Sequence, residues 1–258
     1  MSYPDIKITF LGTGTSSGVP MVGCSCDVCT STDRKDKRLR SSILVQSEHT
    51  TVVVDSGPDF RYQMLRENIK RLDAVVFTHP HKDHVAGLDD VRGFNYFMRK
   101  PMEIYGNEMT LEVIIREFPY AFTEKKYPGA PNIHLNTISS QPFQINDLVI
   151  TPVLVWHMQM PVLGYRFGKF TYITDANRIE EKSREIIRGS EVLVLNALRK
   201  EKHISHFSLG EAIAEAGELK VSTAYFTHIS HQLGKHADVN SELPEGIHLA
   251  YDGLSIAL

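Results

Sequence analysis

The stretch Thr78–His84, with the sequence THPHKDH, contains three histidines and one aspartate within six residues. Imidazole nitrogens and carboxylate oxygens together suit Zn, Mn or Fe as ligands. Pro80 within the stretch argues against a helix at this point, because proline removes a backbone donor and disturbs the preceding turn. We therefore expect a loop that directs several side chains at one metal site. A polar loop that is rich in histidine without binding metal is the alternative.

The element that must position this loop is the apolar run directly before it, residues 72–77 with the sequence LDAVVF. A short run of β-branched and apolar residues is typical of a buried strand, which places the histidine loop at the strand's C-terminal end. A second predicted strand, Thr51–Val54, ends at Asp55. That carboxylate is a candidate to support a metal ligand from behind, and capping of the following helix is the alternative.

The same arrangement recurs along the chain, because four apolar strands are each followed by a potential ligand. These residues are His79, His157, Asp175 and His228. One strand that ends in histidine is more often explained by a buried structural residue than by a ligand. Four such strand ends are better explained by a single shared site, since loops at the ends of strands commonly carry function.

The three cysteines, Cys24, Cys26 and Cys29, lie close together and are odd in number. A disulfide framework would require an even and dispersed set, so metal binding is the better interpretation. Three reduced free thiols are the alternative. The glycine-rich loop at residues 12–18 lacks the pattern of a P-loop or a dinucleotide fingerprint, and tight turn geometry explains it better than phosphate binding.

The composition is that of an ordinary globular protein, and 258 residues can form one domain spanning residues 1–258. The formal net charge of −3 provides no basic field for nucleic acid, which argues against such a partner. No apolar run has membrane-spanning length, and the first residues do not resemble a signal peptide. We therefore expect a cytoplasmic protein without a membrane partner. A homodimer stays an open alternative.

Groups of predicted strands flanked by helices occur in both halves of the chain, which favours two packed sheets with helices outside them. We expect residues Val85–Met98 to be largely helical. At the C-terminal end, Ile247–Tyr251 and Leu254–Ala257 are predicted to form a hairpin across Asp252 and Gly253.

The histidine stretch resembles the T-H-x-H-x-D-H signature of the metallo-β-lactamase superfamily. The resemblance covers essentially the whole chain, because the later candidate ligands follow in the family's order. Within the superfamily, four segments are similar to the branch that contains the phosphoribosyl cyclic phosphodiesterase of phosphonate metabolism. They are GTGT at residues 12–15, the cysteine group, VDSG at residues 54–57 and THISH at residues 227–231.

This resemblance implies an α/β fold of the αββα sandwich type, in which two mixed sheets carry helices on both outer faces and two metals bind at one edge. By position, His79, His81 and His157 would hold the first metal; Asp83, His84 and His228 would hold the second; and Asp175 would bridge them. Dizinc β-lactamases typically have a cysteine where this chain has Asp175, which argues against lactam hydrolysis. Seven nitrogen and oxygen ligands fit either Zn or Mn.

The resemblance also implies a structural zinc bound by the three cysteines and by His231, the residue that matches the fourth ligand of this branch. His206 matches a histidine that contacts phosphate and assists the leaving group, and Asp83 is counted with it as catalytic. His203 is an alternative at this spacing, and a polar residue at a helix start is another. Arg199, Lys200 and Lys202 form either a patch for an anionic substrate or ordinary exposed charge.

The sequence therefore predicts an enzyme, a dinuclear metal-dependent phosphodiesterase. It would hydrolyse a small, cyclic or nucleotide-like phosphodiester by attack of a metal-bound hydroxide. The first alternative is an RNA-processing nuclease of the ribonuclease Z type, which commonly carries a basic tRNA-clamping arm that this chain lacks. The second is a non-catalytic cofactor carrier, such as the pyrroloquinoline-quinone biosynthesis protein of the same branch.

Overall fold

The computed structural model describes residues 3–125 and 127–258, which form two seven-stranded sheets packed face to face. The strands of the first sheet are β1 (Lys7–Gly12), β2 (Ser42–Gln46), β3 (Thr51–Val54), β4 (Ala74–Val76), β5 (Met102–Gly106), β6 (Ile133–Thr137) and β14 (Ser255–Ala257). Those of the second are β7 (Phe143–Ile145), β8 (Leu148–His157), β9 (Met160–Phe167), β10 (Phe170–Tyr172), β11 (Val192–Asn196), β12 (Thr223–Thr227) and β13 (Ile247–Leu249).

Helices cover the outer face of each sheet, which confirms the predicted αββα sandwich. They are α1 (Phe60–Arg66), α2 (Lys82–Val85), α3 (Arg92–Met98), α4 (Glu108–Glu117), α5 (Glu181–Ile187), α6 (Leu209–Leu219) and α7 (His236–Glu242). None of the helices in the described ranges is both long and apolar enough to cross a membrane.

Both sheets are mixed and follow the same plan. The first has the order β14-β1-β2-β3-β4-β5-β6, and the second has the order β13-β12-β11-β10-β9-β8-β7. Strands β3, β4, β5 and β6 run parallel to one another, as do β10, β11, β12 and β13, whereas the remaining pairs are antiparallel. The carboxyl ends of parallel strands meet at one edge of a sheet, so each sheet presents several strand ends at a common edge.

The hydrophobic core has three layers that follow from the apolar strand pattern. Phe10 and Tyr165 lie in the layer between the sheets and are fully buried. Phe60 of α1 and Leu111 of α4 pack on the outer face of the first sheet. Ile187 of α5 packs on the outer face of the second. Since most strands are covered on both sides, they are apolar on both faces, as is typical of buried parallel sheets.

Residues 85–98 are largely helical, as predicted, with a break at Ala86 and Gly87. Helix α2 ends at Val85, a 3₁₀ turn spans Leu88–Val91, and α3 follows. The Gly87 N–H donates to the carbonyl of Ser56 at 2.8 Å instead of continuing the helix. A Cβ atom at Gly87 would lie 2.1 Å from the Gly57 carbonyl oxygen, so this close backbone approach requires glycine.

The predicted C-terminal hairpin is wrong, because its two strands belong to different sheets. Strand β13 pairs with β12 of the second sheet, and β14 pairs with β1 of the first. Asp252 does not close a hairpin turn; its carboxylate accepts hydrogen bonds from Thr13 Oγ1 and the Leu39 N–H, both at 2.8 Å. The turn therefore carries the chain from one sheet to the other. An apolar strand pattern does not specify its partner, so the sequence could not distinguish the two outcomes.

Candidate metal centres

The four strand ends singled out in the sequence lie together at one edge of the sandwich. His79 follows β4, His157 ends β8, Asp175 follows β10 and His228 follows β12. Their ligand atoms fall into three overlapping groups, and Asp175 belongs to all of them. The groups are Asp83, His84, Asp175 and His228; His79, His81 and Asp175; and His157, Asp175 and His206. We call these eight residues the histidine–aspartate cluster.

Three residues at this edge adopt the left-handed backbone conformation, with φ angles of 65° at Asp55, 58° at Asp175 and 56° at His228. Asp55 and His228 lie immediately after β3 and β12, Asp175 lies three residues after the end of β10, and at each the turn takes the chain out of the sheet direction. Residues other than glycine adopt this conformation at an energetic cost and do so disproportionately at functional sites. Asn196 stabilises the turn after Asp175, because its side-chain oxygen and nitrogen bond the N–H and carbonyl of Ala176 at 2.7 and 2.9 Å.

The carboxylate of Asp175 lies at the centre of the cluster. Its Oδ2 is 3.3 Å from His79 Nε2 and 3.4 Å from His84 Nε2. Its Oδ1 is 2.9 Å from His228 Nδ1. Burial alone would raise the pKa of Asp175, but the surrounding imidazoles, those of His228 and His84 first, hold it well below its usual range. The carboxylate is therefore ionised.

Asp83 and His84 reach the cluster from α2, which begins at Lys82, two residues after Pro80. The sequence-based prediction of a loop thus holds for His79 to His81 but not for these two residues. Asp83 Oδ2 lies 3.3 Å from His84 Nε2. Burial would raise the pKa of Asp83, but the charge and hydrogen bonding of His84 lower it overall. Burial would lower the pKa of His84, but its neighbouring carboxylates raise it well above the usual value.

Asp55 stands behind the cluster and orients it. One carboxylate oxygen accepts from the Thr78 N–H at 2.8 Å. The other accepts from Thr78 Oγ1 at 2.8 Å and lies 2.7 Å from His84 Nδ1. The structure thus places Asp55 in the supporting position, whereas the N-cap of α1 is Asp59. A carboxylate on the far nitrogen of a histidine fixes the tautomer and aims the other nitrogen, Nε2, into the cluster.

His157 lies nearer to His206 than the sequence-based assignment implied. Its ring centroid is 4.6 Å from that of His206, compared with 5.2 Å from His81 and 6.0 Å from His79. His157 Nδ1 lies 2.8 Å from the Ser205 carbonyl oxygen and donates to it, which leaves Nε2 for the cluster. Burial lowers the pKa of His157, so the ring is neutral and able to act as a ligand.

His206 is held in place by the start of α6. Ser208 accepts a hydrogen bond from the Glu211 N–H, and the Glu211 carboxylate accepts from the Ser208 N–H, which is a capping box. The His206 ring stacks against that of His228, with centroids 4.8 Å apart. Burial, followed by neighbouring imidazoles, lowers the pKa of His206 to about 2. His203 stacks on its outer side at 5.4 Å and is not part of the cluster.

Thr15 contacts the cluster although no sequence signal identified it. Its Oγ1 lies 3.2 Å from His228 Nε2. The glycine-rich loop that carries Thr15 packs tightly, since a Cβ atom at Gly14 would lie 2.8 Å from the Arg38 carbonyl oxygen. This close approach supports the turn interpretation of the loop. The two residues are separated by 213 positions in the sequence, so no local sequence pattern predicts their contact and only the fold reveals it.

The cysteine cluster, which we define as Cys24, Cys26, Cys29 and His231, lies beside the first one. Its candidate ligand atoms all lie within 4.8 Å of one another, as the sequence predicted, and the cysteines are not joined in disulfides. His231 Nδ1 is 3.5 Å from Cys24 Sγ and 3.3 Å from Cys26 Sγ. The hydrogen bond from His231 is the main cause that lowers the pKa of Cys26 to about 6, whereas burial raises the pKa of Cys29 to about 11.

Comparison with known proteins identifies the fold family. Residues 50–229, most of the chain, match the family model described as the β-lactamase superfamily domain. The chain belongs to the β-lactamase superfamily. This confirms the resemblance drawn from the THPHKDH stretch and the fold that it implied.

Among curated proteins, the chain is similar to an octanoyltransferase of Porphyromonas gingivalis, with 37% identity over 252 residues. The match covers 96% of this superfamily member but 51% of that protein. The chain thus spans about half the length of the curated relatives it matches, and their whole-protein activities do not transfer to it directly.

Two solved structures extend the comparison. A diphosphatase of the PhnP family is 41% identical, with a TM-score of 0.91 and 97% coverage of both chains. This likeness is consistent with the predicted branch of the superfamily. Zn²⁺-bound PqqB of Methylobacterium extorquens is 19% identical, with a TM-score of 0.77 and coverage of 98% of this chain and all of that one. At this identity the likeness shows the shared fold alone.

Proposed function

We propose that this chain is a dinuclear metal-dependent phosphodiesterase that hydrolyses a small, cyclic or nucleotide-like phosphodiester. The observation that carries the proposal is the ionised carboxylate of Asp175, which faces imidazole nitrogens of His79, His84 and His228 at 2.9–3.4 Å. A carboxylate with a histidine set on each side is the donor arrangement that suits two adjacent cations.

The chemistry of the donor atoms fits bound cations. Among the described residues, His84 Nε2, His206 Nδ1 and His228 Nδ1 are buried and have no hydrogen-bond partner. His84 Nε2 and His228 Nδ1 nevertheless lie within 3.4 Å of carboxylate oxygens, without the alignment that a hydrogen bond requires. Buried polar atoms are nearly always satisfied in native proteins, and a cation between the carboxylates and the nitrogens of His84 and His228 would satisfy these two atoms.

The proposed ligand sets follow the superfamily pattern. His79, His81 and His157 would hold one cation; Asp83, His84 and His228 would hold the other; and Asp175 would contact both. When bound, two such cations activate water and neutralise the oxygens of the phosphoryl group. His157 lies close to His206, with ring centroids 4.6 Å apart, which supports an arrangement in which the first set adjoins the proposed proton donor.

His206 supplies a proton to the oxygen that leaves. The ring is buried against His157 and His228, so it lies where a phosphodiester held by the cluster would extend. With a pKa of about 2, the ring is neutral in the absence of substrate. For His206 to donate a proton, the negative charge of a bound phosphodiester must raise this pKa toward the working pH. Proton transfer of this kind contributes about 10²–10⁴-fold to hydrolysis rates.

A second candidate function is hydrolysis of a diphosphate linkage. It is favoured by the likeness to the PhnP-family diphosphatase, which is 41% identical over nearly the full chain. The two reactions share attack on a phosphoryl group and differ in what leaves, an alcohol in one and a phosphate in the other. The Asp175-centred cluster is compatible with both.

The test combines metal analysis with a substrate screen. We expect the purified protein to contain three metal ions per chain, two in the histidine–aspartate cluster and one in the cysteine cluster. It should hydrolyse bis(p-nitrophenyl) phosphate, a cyclic phosphodiester or a diphosphate diester, and it should not hydrolyse lactams, thioesters or precursor tRNA. Cleavage of precursor tRNA alone would favour a ribonuclease. Fully metal-loaded protein that cleaves no phosphodiester or diphosphate would overturn the proposal.

A further inference from the structure

A cavity of about 510 Å³ opens beside the histidine–aspartate cluster. Thr15, which contacts His228, lines one part of it, and His203, which stacks on His206, lines another. The eight residues of the histidine–aspartate cluster do not line the cavity, whereas Cys24 and His231 of the cysteine cluster do. A substrate held at the histidine–aspartate cluster with its leaving oxygen at His206 would extend its leaving part past Thr15 and His203 into this cavity. This step rests on the proposed function, because it uses His206 as the marker of the leaving side.

Arg199 places a positive charge in the wall of this cavity. It is the one arginine or lysine among the described residues that line the cavity. Its Nη1 donates to Gln232 Oε1 at 3.0 Å and its Nη2 to the Lys202 carbonyl at 3.2 Å. These two bonds fix the plane of the guanidinium, while its buried Nε–H has no partner in the described part of the chain. Among the described residues, no carboxylate forms a salt bridge with Arg199. The guanidinium is therefore held in one orientation, but its charge is not neutralised.

The neighbouring lysines, Lys200 and Lys202, are placed differently from Arg199. The sequence left open whether the three cations form a patch for an anionic substrate or ordinary exposed charge. Lys200 Nζ lies 3.5 Å from Glu242, and Lys202 Nζ lies 3.8 Å from Glu211. Both side chains are exposed, and neither lines the cavity. Their charge is shared with surface glutamates and solvent, where ion pairs contribute little. Of the three cations in this segment, only Arg199 is placed to contact a substrate.

We propose that Arg199 is a specificity-determining residue that binds a negatively charged group on the leaving part of the substrate. A planar guanidinium with free N–H groups matches the paired oxygens of phosphate or carboxylate. The site therefore selects substrates whose leaving part is anionic, such as a diphosphate diester, over those that release a neutral alcohol. In the diphosphate case, the oxygen of water bonds to one phosphorus, the bridging P–O bond breaks, and the second phosphate leaves with the bridging oxygen.

The experiment compares two substrates that each contain two adenosines. Diadenosine diphosphate releases adenosine 5′-monophosphate, whereas adenylyl-(3′,5′)-adenosine releases a nucleoside whose hydroxyl is neutral. For Arg199→Gln in the metal-loaded enzyme, we expect kcat/KM to fall about 10- to 100-fold on the diphosphate, as for loss of a hydrogen bond to a charged group. On the second substrate we expect less than a threefold change. Arg199→Lys should restore part of the selectivity, because it keeps the charge without the planar fork.

Two matched variants separate this role from general effects. Lys202→Gln removes one positive charge from the same segment and should leave both substrates within threefold of wild type. Gln232→Ala removes the Nη1 hydrogen bond but keeps the Arg199 charge, and it should largely retain the preference for the diphosphate. Equal losses on both substrates in Arg199→Gln, or an equal effect of Lys202→Gln, would overturn the inference. So would a wild-type enzyme that cleaves bis(p-nitrophenyl) phosphate but prefers the neutral leaving group.

Calorimetry of the metal-loaded protein makes the inference independent of turnover. We expect adenosine 5′-monophosphate to bind about 10-fold more weakly to Arg199→Gln than to wild type, with adenosine unaffected. If no ester is hydrolysed, the proposed function fails, while the calorimetric difference still decides whether Arg199 binds the anion. Identical affinities in the two proteins would reject the Arg199 site even if the enzyme proves to be a phosphodiesterase.

Discussion

The two candidate metal centres of this chain differ in what holds their side chains in place. Four of the eight residues of the histidine–aspartate cluster lie at or just after strand ends, and six are buried, with Asp175 2% exposed and His79 fully inaccessible; His81 is exposed and Asp83 is half-buried. Two of its histidines are fixed from behind, His84 by Asp55 and His157 by the Ser205 carbonyl. A rigid sheet edge therefore arranges these ligands before any metal binds. A catalytic site requires such preorganisation, because its side chains must already be close to the productive geometry when the substrate binds.

The cysteine cluster has the opposite character. Its three thiols lie in a loop segment without strands, and Cys26 is exposed. A small apolar group of Val19, Val28 and Cys29 is the local core of the segment. With so little packing, a metal bound by the thiols would supply much of the order of this segment, as it does in small thiolate sites. The histidine–aspartate cluster is thus positioned by the fold, whereas a metal in the cysteine cluster would help to position the loop segment that carries the thiols.

The largest effect is expected from the residue that all groups of the first cluster share. Asp175→Ala removes the carboxylate that faces both proposed cations, so we expect kcat to fall by at least about 10³-fold. Loss of mere supporting groups around a metal already costs about 10–100-fold. Metal content should fall below two in this cluster, while circular dichroism stays that of wild type because the sheet edge is preformed.

Asp73→Ala provides the matched control for this variant. Asp73 is also a buried carboxylate, but it precedes β4 at the opposite edge and pairs with Arg71 and Lys100. We expect it to lower stability without a large change in kcat or metal content. Normal turnover with full metal content in Asp175→Ala would show that the strand-end cluster is not the catalytic site.

The second effect separates proton transfer from metal binding within the same cluster. His206→Ala should keep both cations and lower kcat about 10²-fold or more on esters with alkoxide leaving groups. Bis(p-nitrophenyl) phosphate should be affected far less, since p-nitrophenolate leaves without a proton. His236→Ala, which removes a buried histidine beside Arg38, serves as the control. Loss of metal from His206→Ala would instead make this histidine a ligand, and equal losses on both esters would remove its acid role.

The third effect tests how strongly Asp55, which lies behind the ligands, maintains the histidine–aspartate cluster. Asp55→Ala leaves the far nitrogen of His84 and the hydroxyl of Thr78 without their acceptor. We expect metal affinity and kcat to fall about 10- to 100-fold. Asp55→Asn retains an acceptor but loses the charge, so it should lie between alanine and wild type. A metal titration in which both variants match wild type would mean that the sheet edge alone arranges the ligands.

The sequence predicted much of the first cluster because its signals are local. Apolar β-branched runs mark buried strands, and a polar ligand directly after each run marks the sheet edge. Thr15 and Thr78 escaped prediction because their roles depend on contacts with His228 and Asp55, far away in the chain. The closeness of His157 to His206 likewise depends on how β8 packs beside the start of α6, which no local pattern encodes.

The wrong hairpin and the break in the helical stretch at Gly87 have the same origin. The Gly87 N–H donates to the Ser56 carbonyl, which is distant in the sequence, instead of to a helix carbonyl. The sequence on either side of Asp252 is compatible with a hairpin, but in the fold β13 pairs with β12 and β14 pairs with β1. Local propensity is a weak guide wherever tertiary contacts decide between two acceptable conformations.

The smallest effect concerns the thiols of the cysteine cluster. It tests the difference between the two clusters at the one with less packing. In protein from which zinc has been removed, Cys26, with a pKa of about 6, is mostly thiolate at pH 7, whereas buried Cys29, with a pKa of about 11, is not. Dithiodipyridine should therefore react first at Cys26, and its rate should level off above about pH 6, while that of Cys29 keeps rising with pH. Mass spectrometry of the labelled peptides measures both, and zinc-loaded protein should protect all three cysteines.

His231→Ala tests the cause of this difference, because the hydrogen bond from His231 is the largest contribution to the lowered pKa of Cys26. If the pKa returns to the ordinary value of 9.0, the thiolate fraction at pH 7 falls about 90-fold. A more basic thiolate is also more nucleophilic, by about 20-fold over three pKa units. The net rate should therefore fall only about fourfold in the zinc-free protein, whereas zinc protection should be lost. Equal reactivity of all three cysteines in zinc-loaded wild type would identify them as free thiols. The histidine–aspartate cluster would then be the sole metal centre predicted for this chain.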